Sequence, residues 1–169
     1  MSEDFLSAAL KRIAASPTTA MTDRATALRA AGRDIISLSV GEPDFAPPAD
    51  VLAAASAAAL AGETKYTSVA GTARLREAAA LHYARDLGIA ADPAQVIVTA
   101  GGKQALFEAL AATLSDGDEV IVPSPWWVSY PQMVRFCGGR VVPLVTHAQD
   151  NFRFRPAALE ALITPRTNW

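Results

Sequence analysis

The stretch VIVTAGGKQALFEAL, residues 96 to 110, joins a short apolar run to a helix-like one through Gly101, Gly102 and Lys103. A helix start preceded by glycines offers backbone N–H groups and the positive end of the helix dipole, the arrangement that holds a phosphate. Glycines there also suit a plain tight turn between strand and helix. Both readings stand on these residues alone.

Working outward, the pattern from Gln95 reads as strand QVIVT (95–99), helix KQALFEALAATL (103–114), strand EVIVP (119–123), a helix from about Trp127 to Phe136, and strand RVVPLV (140–145). The strands are continuous apolar runs rather than alternating ones. Such runs point to burial on both faces, hence to a mainly parallel sheet covered by helices and an α/β chain. Asp116-Gly117-Asp118 and Gly138-Gly139 mark turns. Pro156 opens a last helix, which Thr164-Pro165 closes. Strand and helix alternation then calls for a further buried strand, but the sequence stops at Trp169.

Upstream, the alanine-rich LAAASAAALAG forms a helix beginning near Pro47-Pro48 and stopping at Gly62, and a second helix fits Thr72 to Leu87, ended by Gly88. An opening helix mixes Lys11, Arg12, Arg24, Arg29 and Arg33 with Glu3, Asp4, Asp23 and Asp34, and the formal net charge is -2. This balance argues against nucleic acid as a partner. The first residues, MSEDFLSAALKRIAASPTTAM, fit neither a secretory signal nor a membrane span, so no membrane partner and a cytoplasmic location are expected. The single cysteine, Cys137, with only His82 and His147 for company, makes neither an internal disulfide nor a structural metal site. It reads as a small buried hydrophobe.

In open parallel sheets ligands lie beyond the carboxyl ends of the strands. Those ends supply Ala100 to Lys103 after one strand, and Ser124, Pro125, Trp126 and Trp127 after the next. A phosphate cradle beside an indole plane suits a phosphorylated heteroaromatic ring, and pyridoxal 5′-phosphate fits that description. A nucleotide at the glycine turn is another reading, although neither G-x-G-x-x-G nor G-x-x-x-x-G-K-[ST] occurs.

Four ordered motifs narrow the choice: SVGEPDF (39–45), KYTSVAGTARLREA (65–78), VIVTAGGKQALFEAL (96–110) and DEVIVPSPWWVSYPQMVRFCGG (118–139). Together they resemble the N-terminal portion of class I aminotransferases, the aspartate aminotransferase family of fold type I pyridoxal-phosphate enzymes. The likeness runs in order from near Ile13 to Trp169. It implies a partial three-layer sandwich with a mainly parallel sheet. Residues 1–45 would form an N-terminal helix and a substrate-contacting segment, and 46–169 an incomplete cofactor-binding large domain.

The resemblance also implies roles. Gly41 would bring its backbone to the substrate α-carboxylate, with a turn before Glu42-Pro43 as the plainer reading. The backbone of Gly101, Gly102 and Lys103 would bind the cofactor phosphate. Lys103 would in addition favour an acidic substrate, or else be a solvated lysine. Trp127 would stack on the cofactor ring and touch the substrate carboxylate, with Trp126 as a packing residue. Tyr66 would reach the cofactor phosphate of a neighbouring subunit in a homodimer, or simply pack its ring.

The family's Schiff-base lysine, Asn-Pro-rich loop, ring-nitrogen aspartate, ring-oxygen tyrosine and carboxylate-clamping arginine find no counterpart among these residues. Lys11, Lys65 and Lys103 lie in no segment resembling the Schiff-base motif. The expectation is therefore double. The family transfers an amino group between an amino acid, here an acidic one, and a 2-oxo acid, while this chain reads as truncated and inactive alone. The competing reading is an inactive cofactor-binding or dimerising module. Exposed apolar surfaces left by missing strands predict poor solubility or reliance on a partner chain.

Overall fold

The computed structural model describes residues 5–169, so Glu3, Asp4 and the start of the segment 1–45 lie outside the described residues. The chain forms two compact units: Met1–Gly41 with Phe107–Trp169, and Glu42–Leu106. The 106/107 division lies inside a helix.

In the first unit the expected opening helix is two helices, α1 (Ala8–Lys11) and α2 (Pro17–Ala30). Pro17 takes the first turn of α2, and the Ser16 hydroxyl accepts the Thr19 N–H at 3.4 Å. A proline is tolerated at that position and a serine caps it, so the chain restarts its helix there.

The sheet of this unit is parallel, with β1 (Glu119–Ser124) beside β2 (Arg140–Val145), registered from Glu119 opposite Arg140 to Ser124 opposite Val145. Helix α6 (Ser129–Phe136) crosses between them. Val120 and Val122, two residues apart and so on one face of β1, form the buried core with Leu110 and Val134. Leu110 comes from α5 (Gly102–Thr113), whose Phe107 ring lies 5.6 Å from that of Phe136. β2 differs from the doubly buried strand expected of it: Leu144 is buried while Pro143 and Val145 are exposed. Among the described residues β2 has β1 alone as a ladder partner.

The last helix, α7, is short (Pro156–Glu160). After Pro165 the chain does begin the additional strand-like pairing. The Glu119 and Ile121 N–H groups donate to the carbonyls of Arg166 and Trp169, each at 2.8 Å, and Asn168 N–H donates to the Glu119 carbonyl at 2.9 Å. Thr167 thus bridges Glu119 in parallel sense, which makes β1 an interior element with partners on both edges.

In the second unit α3 (Ala49–Leu60) follows Pro47-Pro48 as expected. Helix α4 (Ala73–Leu87) is capped by the Thr72 hydroxyl on Leu75 N–H and ends at Gly88. The expected strand 95–99 is a correction. A short 3-10 turn occupies Pro93–Gln95, Val96 is extended, and residues 96–99 belong to no strand. Its recorded tie to a neighbouring segment is the Val98 N–H, which donates to the Ala70 carbonyl at 3.0 Å. An apolar run becomes a strand only beside another strand. Gly71 lets these segments meet, since a Cβ there would lie 2.8 Å from Val98 Cγ2.

Candidate functional site

The head of α5 is built by residues 99–104. Gly101 sits at φ +89, in the left-handed region, and its N–H donates to the Thr99 carbonyl at 2.8 Å. Its carbonyl accepts the Gln104 N–H at 3.1 Å and the Thr99 hydroxyl at 3.0 Å. Ala100 N–H donates to Gln104 Oε1 at 2.7 Å, so the side chain of the helix folds back over the turn that starts it. With the Gly101 amide turned toward Thr99, the amides at the head of α5 are those of Gly102 and Lys103.

This end of the helix is open to solvent. A Cβ added at Gly101 or Gly102 would find no protein atom within 4 Å, the opposite of the crowding at Gly71. Open space, first-turn amides and the positive end of a helix dipole are what an anionic oxygen needs. Lys103 is exposed in the same turn, and Tyr66, in the same unit, is fully exposed.

Gly41 and Trp127 belong to the other unit. Trp127 follows β1 after the cis Ser124–Pro125 peptide, and its carbonyl accepts Tyr130 N–H at 3.0 Å. It remains 42% exposed, whereas Trp126 packs against the Val120–Val134 core. The indoles of two adjacent tryptophans thus go to different environments. Gly41 is exposed with open space at its Cα, beyond a chain of hydroxyls in which Ser39 meets Ser37 at 2.8 Å and Thr22 at 3.2 Å. The structure therefore groups Tyr66, Gly101, Gly102 and Lys103 in one unit and Gly41 and Trp127 in the other.

Sequence reasoning passed over Thr99 and Gln104, although polar residues flanking a glycine pair are the side chains able to cap the turn. It also passed over Glu119. This carboxylate, 1% exposed, accepts hydrogen bonds from Thr164 Oγ1 at 2.7 Å, from Arg140, and from Arg166 Nη2 at 3.2 Å. The Thr164 hydrogen bond, followed by that of Arg140, holds its pKa below the ordinary value. A glutamate opening an otherwise apolar strand is the sequence mark of such a tie. Cys137 is half-buried, and burial pushes its thiol pKa up, in keeping with a packed rather than reactive residue. Among the described residues no group of three or more His, Cys, Asp or Glu is placed to hold a metal ion.

Residues 33–169 match the sequence profile of the family described as aminotransferase class I and II. An aspartate/prephenate aminotransferase of Cereibacter sphaeroides is 50% identical over 165 residues, covering 98% of this chain and 41% of that protein. The crystal structure of Thermus thermophilus aspartate aminotransferase with maleate superposes with a TM-score of 0.92 at 47% identity, covering 96% of this chain and 42% of that one. The aspartate aminotransferase of Rhizobium meliloti gives 0.92 at 41% identity, covering 97% of this chain and 41% of that one. The chain thus spans about 41% of the length of such relatives.

Proposed function

Because this chain belongs to the class I and II aminotransferases, we propose that it carries the phosphate-holding and substrate-facing part of a pyridoxal-phosphate enzyme. That enzyme moves an amino group between an acidic amino acid, aspartate or a near relative, and a 2-oxo acid. The observation carrying this reading is the open, glycine-bent head of α5. Bound there, the cofactor supplies an electron sink for chemistry at the amino acid's α-carbon.

The chain's own residues do the holding. Gly102 and Lys103 would offer their amides to the phosphate oxygens, aided by the helix dipole. Trp127, exposed in its own unit, would offer an indole face to the cofactor ring. The Gly41 backbone meets the α-carboxylate, close approach being what the lack of a side chain permits. The Lys103 ammonium pairs with the substrate's second carboxylate. Tyr66 carries its hydroxyl to the phosphate of a second subunit in a homodimer. A cytoplasmic location belongs to the same proposal. Among the described residues no helix is long and apolar enough to cross a membrane.

A second reading, an inactive cofactor-binding or dimerising module, is favoured for these 169 residues taken alone, since Lys11, Lys65 and Lys103 lie in no segment resembling a Schiff-base motif. Incubated with pyridoxal phosphate, aspartate and 2-oxoglutarate, they are expected to yield no sustained glutamate.

The enzyme reading is tested by a chimera in which this chain replaces the matching 42% of the Thermus thermophilus enzyme. The chimera should transaminate aspartate. In it Lys103→Ala should lower kcat/KM for aspartate about tenfold or more, relative to a neutral amino acid, through loss of a charge-assisted contact. Equal losses for both substrates would contradict the role given to Lys103.

A further inference from the structure

Two side chains, those of Thr99 and Gln104, hydrogen-bond to the backbone of the turn before α5. Of the backbone N–H and C=O groups of Ala100 and Gly101, three are taken up within residues 99–104. Ala100 N–H goes to Gln104 Oε1 at 2.7 Å, Gly101 N–H to the Thr99 carbonyl at 2.8 Å, and the Gly101 carbonyl receives the Gln104 N–H and the Thr99 hydroxyl. Gln104 thus supplies both an acceptor and a donor to the same turn, one from its side chain and one from its backbone. The backbone donation is a property of any residue at that position. The side-chain acceptance is not.

We propose that the Gln104 carboxamide is a positioning residue: by accepting the Ala100 N–H it fixes Gly101 in its left-handed conformation and so aims the first amides of α5 at an anion. This rests on the reading of the α5 head as a phosphate site. Without the Oε1 acceptor, the Ala100 N–H turns to water and the chain before Gly101 gains freedom. Each phosphate bound must then re-order the turn, a cost that appears as weaker binding. Thr99, whose hydroxyl reaches the Gly101 carbonyl at 3.0 Å, supports the same turn from its other end.

The test uses the whole 169-residue chain, with inorganic phosphate as the probe and backbone amide NMR as the readout. Gln104→Met keeps length and helix propensity but removes the acceptor, and Gln104→Glu keeps an acceptor oxygen. In Gln104→Met the Ala100 amide should lose its protection from hydrogen exchange, and the Gly101 and Gly102 amide shifts should move. The phosphate dissociation constant should rise roughly three- to tenfold, as loss of one hydrogen bond implies. The core signals of Val120, Val122 and Val134 should stay in place, which separates this effect from unfolding. Gln104→Glu should restore the Ala100 protection. Wild-type phosphate affinity in Gln104→Met, with the Ala100 protection lost, would overturn this inference while leaving the phosphate site standing. Failure of phosphate to shift the Gly102 and Lys103 amides in the wild-type chain would overturn both.

Discussion

At Gly101 the backbone lies at φ +89, where a Cβ would press on the following carbonyl, while at Gly102 the conformation is ordinary and the space open. The two glycines therefore respond differently to the same change. Gly101→Ala should destabilise the chain by about 1–2 kcal/mol in urea unfolding, from left-handed strain alone. Gly102→Ala should leave the unfolding midpoint nearly unchanged and still weaken phosphate binding, because its methyl occupies the volume an anion would take. A loss of stability at Gly102 equal to that at Gly101 would mean that both glycines serve the turn and neither the ligand. The glycine pair and the adjacent tryptophans were readable in the sequence because residue type alone carries their chemistry. Thr99 and Gln104 were not, since their contribution lies in hydrogen bonds that no periodicity records.

At the scale of elements, β1 is held by its own pairing and by the carboxylate at its start. Glu119 joins Arg140 of β2 to Thr164 and Arg166 of the closing segment, so one side chain ties together the beginnings of three adjacent extended segments. Its pKa is held below the ordinary 4.5, which means that the folded chain takes up this proton less readily than the unfolded one. The stabilisation is accordingly complete above pH 4.5 and lost as the pH falls through the depressed folded value. Glu119→Gln should lower stability at neutral pH and flatten the acid limb of the stability profile. An unchanged acid limb would assign that titration to other carboxylates. Helix ends were readable from their caps, as Thr72 and Gly88 around α4 illustrate. The run 95–99 was misread because its apolar character does not reveal whether a neighbouring strand exists; a further strand after Pro165 was expected from alternation, but its start within 166–169 was not read, because a ladder is a relation between distant residues.

At the scale of the whole molecule, large apolar side chains stand in water in both units: Ile36, Leu38 and Trp127 in one, Phe45, Tyr66 and Val69 in the other. Side chains of this kind, where they gather into a contiguous patch, favour association with other protein surface. Sedimentation of the 169-residue chain should show concentration-dependent association, suppressed by mild denaturant. A monodisperse monomer with a sharp cooperative melt would count against it. Fold class and family were accessible from the order of four motifs, and exposed apolar surface was expected from the missing strands, whereas which side chains carry it became visible only in three dimensions.

In the proposed function, amide groups at the head of α5 grip the anionic group of a phosphorylated ring. Isothermal titration of the chain with pyridoxamine 5′-phosphate and, separately, with pyridoxamine tests it directly, because neither amine condenses with lysine and the two differ only in the phosphate. The phosphorylated compound should bind at least about tenfold tighter, the worth of one or two charge-assisted hydrogen bonds. Equal affinity for the two would contradict it.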